Sequence, residues 1–127
     1  MDNQKLIYIV DDDQFITTLV MKRFASEGFS VEAFMYGEDC IMALDKNPDV
    51  IILDYYFISS DHKVMNGMEV LDKIKELKPE TPVIMLSGQE KGEIVLELAR
   101  KGIVDYIIKD NNLIDNLLVA INELFEK

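Results

Sequence analysis

The sequence predicts an α/β protein in which helices cover both faces of a five-stranded parallel sheet. Five short apolar or β-branched runs alternate with longer stretches of helical period. The connections between them are short, and no internal repeat or low-complexity segment interrupts the alternation. Because neighbouring parallel strands need a crossover connection, this alternation indicates a doubly wound sheet.

Two of the predicted strands have the composition of edge strands. The second and fifth carry Glu32 and Asp105 in their interiors, whereas the other three are apolar except at their ends. A central parallel strand is buried on both faces, so the second and fifth strands are predicted at the edges. The flavodoxin-like order 2-1-3-4-5 satisfies this requirement. The predicted strands span Lys5–Val10, Ser30–Tyr36, Val50–Leu53, Pro82–Leu86 and Val104–Ile108.

Apolar side chains at helical spacing predict the helices between these strands. Gly28 and Gly102 stand where helices pass into strands, a position that favours a left-handed cap. The last two helices are predicted over Glu90–Lys101 and Asn111–Phe125. The predicted apolar faces consist of Phe15, Ile16, Leu19, Val20 and Phe24; of Val70, Leu71, Ile74 and Leu77; of Ile94, Val95 and Leu98; and of Leu113, Leu117, Leu118, Ile121 and Leu124.

Length and composition favour one acidic domain spanning residues 1–127. The chain is 49% hydrophobic, enough for one core. Its single cysteine, Cys40, is predicted to be a core residue, and the absence of a secretory signal or a long apolar run favours a cytoplasmic location. The net charge of −11 opposes binding to nucleic acid or an anionic membrane. Cations and basic partners are favoured instead.

Polar residues converge on one edge of the predicted sheet. In the order 2-1-3-4-5 the winding reverses between strands one and three, which predicts a functional crevice at their carboxyl ends. Each residue alone has an ordinary structural explanation, such as a turn or a helix cap. Their convergence indicates a site. At this edge the sequence places Asp11, Asp12, Asp13, Asp54, Ser87 and Lys109.

The residue types at this edge favour a divalent cation and phosphoryl chemistry. Crowded carboxylates repel each other, and hard oxygen ligands with no nearby histidine or cysteine favour Mg²⁺, with Mn²⁺ as a substitute. An acidic first loop would repel a bound phosphate, so FMN is not expected. A carboxylate can attack phosphorus while a cation, a lysine and a hydroxyl neutralise the transferring oxygens.

Five stretches resemble the response-regulator receiver domain, in order and over nearly the whole chain. They are Ile7–Asp13, Ile51–Asp54, Met65–Gly67, Met85–Gly88 and Asp105–Lys109. The resemblance implies a signalling switch of a two-component phosphorelay. Such a switch takes a phosphoryl group from a histidine kinase or histidine phosphotransfer protein and signals to a downstream protein. It catalyses only its own phosphorylation and slow autodephosphorylation.

The resemblance also implies roles for the metal ligands and the acceptor. Asp54 would accept the phosphoryl group, and Asp12 would ligate Mg²⁺ directly. Asp11 would act on the metal largely through water. The backbone carbonyl of Tyr56 would complete the ligand set with Asp54. Asp13 then reverts to a helix cap.

Further residues are implied to control the switch. Ser87 would be the switch hydroxyl, Lys109 the cation that pairs with the phosphoryl group, and Tyr106 an aromatic that rotates from an exposed to a buried position. We predict that Tyr56 and Gln89, each two positions beyond Asp54 or Ser87, govern the lifetime of the phosphoryl group. Output is expected on the surface formed by the last two helices and the fifth strand, with no output domain in the chain.

Two departures from the family pattern are visible. The loop Tyr55–Asn66 is longer than the family norm and lacks a proline after the acceptor, which fits either a partner contact or a tolerated insertion. Its histidine, His62, is interpreted as solvated. Asp110 replaces the usual proline after Lys109, so we expect a trans or a strained peptide there.

Other functions and other contexts remain open at the level of sequence. Asp11 and Asp13 form the Asp-x-Asp spacing of haloacid-dehalogenase-like Mg²⁺ phosphatases. A receiver-like binding module without phosphoryl turnover is the third possibility. Four intact residues argue against it: Asp12, Asp54, Ser87 and Lys109. The chain is either a stand-alone regulator or a piece of a larger one.

Overall fold

A computed structural model describes residues 4–55, 66–88 and 92–126, and five strands within these ranges form one parallel sheet. The strand order is 2-1-3-4-5, so the predicted order and the predicted edge strands are confirmed. The first strand pairs with the second and the third, which places the reversal of winding where it was predicted. The strands are β1 (Leu6–Val10), β2 (Ser30–Phe34), β3 (Val50–Asp54), β4 (Val83–Ser87) and β5 (Asp105–Ile108).

Helices cover both faces of the sheet, as predicted. The first and last helices form the core on one face, and the second, third and fourth helices form the core on the other face. None of these helices is long and apolar enough to span a membrane. The helices are α1 (Gln14–Ser26), α2 (Gly37–Met42), α3 (Gly67–Leu77), α4 (Gly92–Arg100) and α5 (Leu113–Phe125), and a 3-10 turn covers Leu44–Lys46.

The predicted apolar face of α1 is wrong at two positions. Phe15 is 70% exposed and Leu19 is 39% exposed, whereas Thr17 is buried beside Val20. At about 100° per residue, Phe15 and Leu19 lie roughly 140° and 100° around the helix from Val20, but Thr17 lies only about 60° away. The Thr17 hydroxyl donates to the carbonyl of Gln14 at 3.1 Å, which makes its burial tolerable.

Several element boundaries differ from the predicted ones for local reasons. Gly28 and Gly102 have φ values of 93° and 92°, so the predicted left-handed caps are confirmed.

The third and fourth strands each extend one residue further than predicted, because Asp54 pairs in register with Leu86 and Ser87 with Ile108. Asp54 and Ser87 are therefore the last residues of β3 and β4, whereas the sequence predicted them just after these strands.

Candidate phosphoacceptor site

Three carboxylates meet where the winding of the sheet reverses. Asp11 directly follows β1 and is 1% exposed, and Asp54 ends β3 and is 2% exposed. Asp12 is half-buried beside them. One carboxylate oxygen from each residue lies within 4.8 Å of the others. The sequence-based prediction of an acidic cluster at this edge is confirmed.

Lys109 neutralises part of this cluster. Its Nζ lies 2.8 Å from Asp11 Oδ2 and 3.2 Å from Asp54 Oδ1. Burial lowers the pKa of Lys109, but the hydrogen bond to Asp11 and the charge of Asp54 outweigh burial and raise the pKa above its ordinary value. The lysine is therefore a fixed positive charge at neutral pH.

The donor set fits a divalent cation. Counted by formal charge, the three carboxylates and the Lys109 ammonium sum to −2, which one divalent cation would balance. All three offer hard carboxylate oxygens, the ligands that Mg²⁺ prefers. The edge of the sheet is thus suited to hold such an ion.

Ser87 supplies a hydroxyl at the same edge. It is 1% exposed, and its Oγ has no hydrogen-bond partner among the described residues. A buried, unsatisfied hydroxyl costs about 1–3 kcal/mol. The backbone carbonyl of Ser87 accepts from the amide of Lys109 at 2.8 Å, so the ladder between β4 and β5 places these two residues side by side. The hydroxyl of Ser87 and the ammonium of Lys109 therefore belong to the same edge of the sheet as the acidic cluster.

The turn after β5 explains how Lys109 reaches the site without the usual proline. The peptide that follows Lys109 is trans. The Asp110 side chain accepts from the amide of Asn112 at 2.9 Å, and the Asp110 amide donates to the carbonyl of Ile108 at 3.0 Å. An Asp side chain commonly forms such a turn. The turn extends through Asn112, so α5 begins at Leu113 rather than at the predicted Asn111.

Asp13 does not belong to the site. Its carboxylate caps α1 by accepting from the amides of Phe15 and Ile16 at 3.0 and 3.4 Å. The Asp13 amide in turn donates to Asp11 Oδ1 at 2.9 Å. The predicted capping role is confirmed, and the Asp-x-Asp spacing places only its first carboxylate in the cluster.

Tyr106 lies beside the loop that follows β4. The ring is half-buried against the core formed with α2, α3 and α4, and its hydroxyl donates to the carbonyl of Gly88 at 3.3 Å. The side chain therefore touches the residue that follows Ser87. Its rotation on activation stays a prediction.

Three residues singled out from the sequence, Tyr56, His62 and Gln89, lie outside the described ranges. A feature that the sequence did not predict is a groove of about 400 Å³ between α1 and the turn after β5. The exposed Phe15 and Leu19 line it together with Lys109. The groove was missed because the apolar periodicity of α1 predicted both side chains to be buried.

The fold and its acidic edge define a receiver-type α/β domain. Residues 7–122 match the response regulator receiver domain family, so the chain belongs to that family. It is 32% identical over 121 residues to the nitrogen assimilation regulatory protein NtrX of Azorhizobium caulinodans, covering 94% of this chain and 26% of that protein.

Solved structures agree with this assignment. The receiver domain of NtrX from Brucella abortus has a TM-score of 0.83 and 29% identity, covering 95% of this chain and 98% of that one. The BeF3-activated receiver domain of DrrB from Thermotoga maritima has a TM-score of 0.80 and 30% identity, covering 98% and 99%. The chain spans about a quarter of the length of the curated relatives that it matches first.

Proposed function

We propose that this chain is a phosphorylated switch in which Asp54 accepts a phosphoryl group from a phosphohistidine of a kinase or phosphotransfer protein. One observation carries the proposal. A single ammonium, that of Lys109, lies within 3.2 Å of two buried carboxylates, while the buried hydroxyl of Ser87 stands at the same edge without a partner among the described residues. This constellation matches the needs of phosphoryl transfer to a carboxylate.

The step would use the Asp54 carboxylate as the nucleophile. One of its oxygens attacks phosphorus, the P–N bond of the phosphohistidine breaks, and the electron pair stays on the imidazole nitrogen of the donor. Lys109 is already within hydrogen-bonding range of Asp54, so it can follow the developing charge onto the phosphoryl oxygens. Ser87 would donate its free hydroxyl to another of these oxygens.

The cation site would be formed by Asp11, Asp12 and Asp54, with the carbonyl of Tyr56 as a further ligand. Bound Mg²⁺, or Mn²⁺ in its place, would supply neutralisation of charge on the transferring oxygens. Asp11 also contacts Lys109, which fixes the lysine next to the acceptor whether or not the cation is bound. We propose further that the side chains of Tyr56 and Gln89 limit hydrolysis, which the phosphoryl lifetimes of Tyr56→Ala and Gln89→Ala would measure.

The donor and the target would contact different surfaces. The groove with Phe15 and Leu19 includes Lys109, which contacts Asp54, so the donor protein would dock over this groove. Output would pass through Ser87, Gly88 and Tyr106 to the surface of α4, β5 and α5. With a net charge of −11 this segment would signal by protein contact in the cytoplasm rather than by binding DNA.

The proposal is tested with radiolabelled acetyl phosphate. In the presence of Mg²⁺ the protein should acquire label that hydroxylamine removes, because hydroxylamine cleaves acyl phosphates. Chelation of the metal should prevent labelling. Asp13→Asn is the matched control, because Asp13 caps α1 outside the cluster and its loss should leave labelling unchanged. Label resistant to hydroxylamine, or acquired without metal, would contradict the proposal.

A further inference from the structure

Helix α3 begins in contact with the backbone of the proposed acceptor. An added Cβ at Gly67 would lie 2.5 Å from the carbonyl oxygen of Tyr55 and 2.7 Å from that of Asp54. It would also lie 2.7 Å from Tyr55 Cα. All three are backbone atoms, so no change of rotamer can relieve the overlap. Gly67 lacks the positive φ that favours glycine elsewhere in the chain, so close approach is the reason for glycine here.

Both partners of this contact are held in place. Asn66 and Glu69 form a reciprocal capping box, with both bonds at 2.9 Å, that fixes the start of α3. On the other side, the amide of Tyr55 donates to the carbonyl of Leu86 at 2.8 Å. The residue after the acceptor is therefore clamped between β4 and the first turn of α3.

We infer that Gly67 is a positioning residue for the acceptor. Its lack of a side chain lets α3 pack directly behind the end of β3, which holds the Asp54 carboxylate within 4.8 Å of those of Asp11 and Asp12. A methyl group at this position would push the Asp54–Tyr55 backbone away from α3. The inference rests on the proposed function, because positioning matters only if these carboxylates share a cation and a phosphoryl group.

The chain offers a matched control for this contact. A Cβ at Gly37, the first residue of α2, would overlap the Val70 side chain on α3, so Gly37→Ala introduces a steric overlap with a side chain of the same helix and not with the backbone of the acceptor. Two amides give an internal control. Ile51, near the start of β3, donates to the carbonyl of Pro82 at 3.0 Å, and Tyr55, the residue that follows β3, donates to that of Leu86.

The experiment compares wild type, Gly67→Ala and Gly37→Ala by amide exchange without metal and by NMR titration with Mg²⁺. For Gly67→Ala we expect exchange of the Tyr55 amide to accelerate at least tenfold more than that of Ile51. Mg²⁺ affinity should fall roughly 10- to 100-fold, the range found when a group that orients metal ligands is changed. Gly37→Ala should accelerate both amides alike and leave Mg²⁺ affinity within about threefold of wild type, because it displaces the Val70 side chain and not the Asp54–Tyr55 backbone.

Equal effects of the two variants, or an unchanged Tyr55 amide in Gly67→Ala, would overturn the inference. Both variants are also measured with sucrose as a stabilising osmolyte. If Gly67→Ala fails to fold even there, the contact serves the fold rather than the site, and the inference is again overturned. Failure of the proposed function would appear separately, as a wild-type protein that neither binds Mg²⁺ nor accepts a phosphoryl group.

Discussion

The two strands that position the acidic cluster differ sharply in burial from the edge strand that precedes Lys109. All five residues of β3 are buried, and so are four of the five in β1. In β5 only Ile107 is buried, while Asp105 and Ile108 are exposed and Tyr106 is half-buried. The proposed acceptor, Asp54, thus lies at the end of a fully buried strand, and the residues proposed to respond to it lie on or beside an edge strand that is mostly exposed.

This difference in burial indicates that the two regions have different roles in the proposed switch. A buried strand holds Asp54 in a fixed geometry, in which a change of charge has a large energetic effect. An edge strand with few buried side chains can rearrange at low cost. Lys109 links the two regions, because it directly follows β5 and contacts both Asp11 and Asp54. Substitutions in the acidic cluster should therefore impair cation binding and phosphorylation, whereas substitutions near β5 should impair the response to phosphorylation.

The largest effect is expected from Asp12→Ala. Loss of the proposed direct ligand should abolish the rise in melting temperature with Mg²⁺ and reduce phosphorylation at least roughly 100-fold. Asp13→Ala should instead cost about 1 kcal/mol of stability through the lost helix cap and keep the response to Mg²⁺. Differential scanning calorimetry with and without Mg²⁺ measures both. An Asp12→Ala protein that is stabilised by Mg²⁺ like the wild type would remove Asp12 from the cation site.

Removal of the Lys109 ammonium, which links the acidic cluster to β5, should have the next largest effect. Lys109→Met leaves two buried carboxylates without their ammonium, which should lower the metal-free unfolding free energy by at most about 3 kcal/mol, since Lys109 is partly exposed. The site charge becomes more negative, so stabilisation by Mg²⁺ should be larger than in the wild type.

The control for this variant is Lys101→Met, which removes a surface ion pair to Asp72 far from the acidic cluster. Urea unfolding of both variants with and without Mg²⁺ shows whether the larger Mg²⁺ effect is specific to Lys109→Met. A smaller Mg²⁺ effect in Lys109→Met than in the wild type would mean that the lysine does not compensate the carboxylates.

Among the residues proposed to respond to phosphorylation, Ser87 is the first to test. Ser87→Ala should uncouple phosphorylation from output. Asp54 should still accept the phosphoryl group, but the active state should lose about 1.5–3 kcal/mol of stabilisation from one charge-assisted hydrogen bond. NMR shifts induced by a bound phosphoryl mimic should then stay near Asp11 and Asp54 and no longer extend to Tyr106. Shifts that reach Tyr106 and α5 unchanged in Ser87→Ala would exclude this route.

A smaller effect should appear in the alkaline stability of the tightly packed side. Burial raises the pKa of Cys40 to about 12, so the neutral thiol stabilises the fold fully below the unfolded pKa of 9.0. That contribution should be lost as pH rises towards 12, by up to about 1.4 kcal/mol per pH unit. Cys40→Ala should make the decline shallower in urea titrations between pH 8 and 11. An equally steep decline in the variant would contradict the assignment.

The sequence predicted the architecture well because the relevant signals are local or compositional. Glu32 and Asp105 marked the edge strands, and the strand ends alone located the acidic cluster. The errors in α1 arose because its apolar pattern extends beyond the buried face. Phe15 and Leu19 lie in an open groove, and Thr17 is buried with its hydroxyl bonded to the carbonyl of Gln14. Leu77, also predicted on an apolar face, is 47% exposed at the end of α3.

Contacts between distant segments could not be predicted in this way. The need for glycine at position 67 depends on how closely α3 approaches the end of β3, which no spacing in the sequence encodes. The reach of Lys109 depends on the Asp110 turn, and the sequence showed only that a proline was missing. Both features become visible only when the segments are in place.

Intact-mass spectrometry and peptide mapping after incubation with Mg²⁺ and a small phosphodonor test the central claim most directly. The account predicts one added phosphoryl group per chain, located on Asp54 and absent from Asp54→Asn. A phosphoryl group mapped to Asp11 would indicate a phosphatase-like nucleophile and contradict the account. An unmodified wild-type chain, in a sample that binds Mg²⁺ and is folded, would contradict it as well.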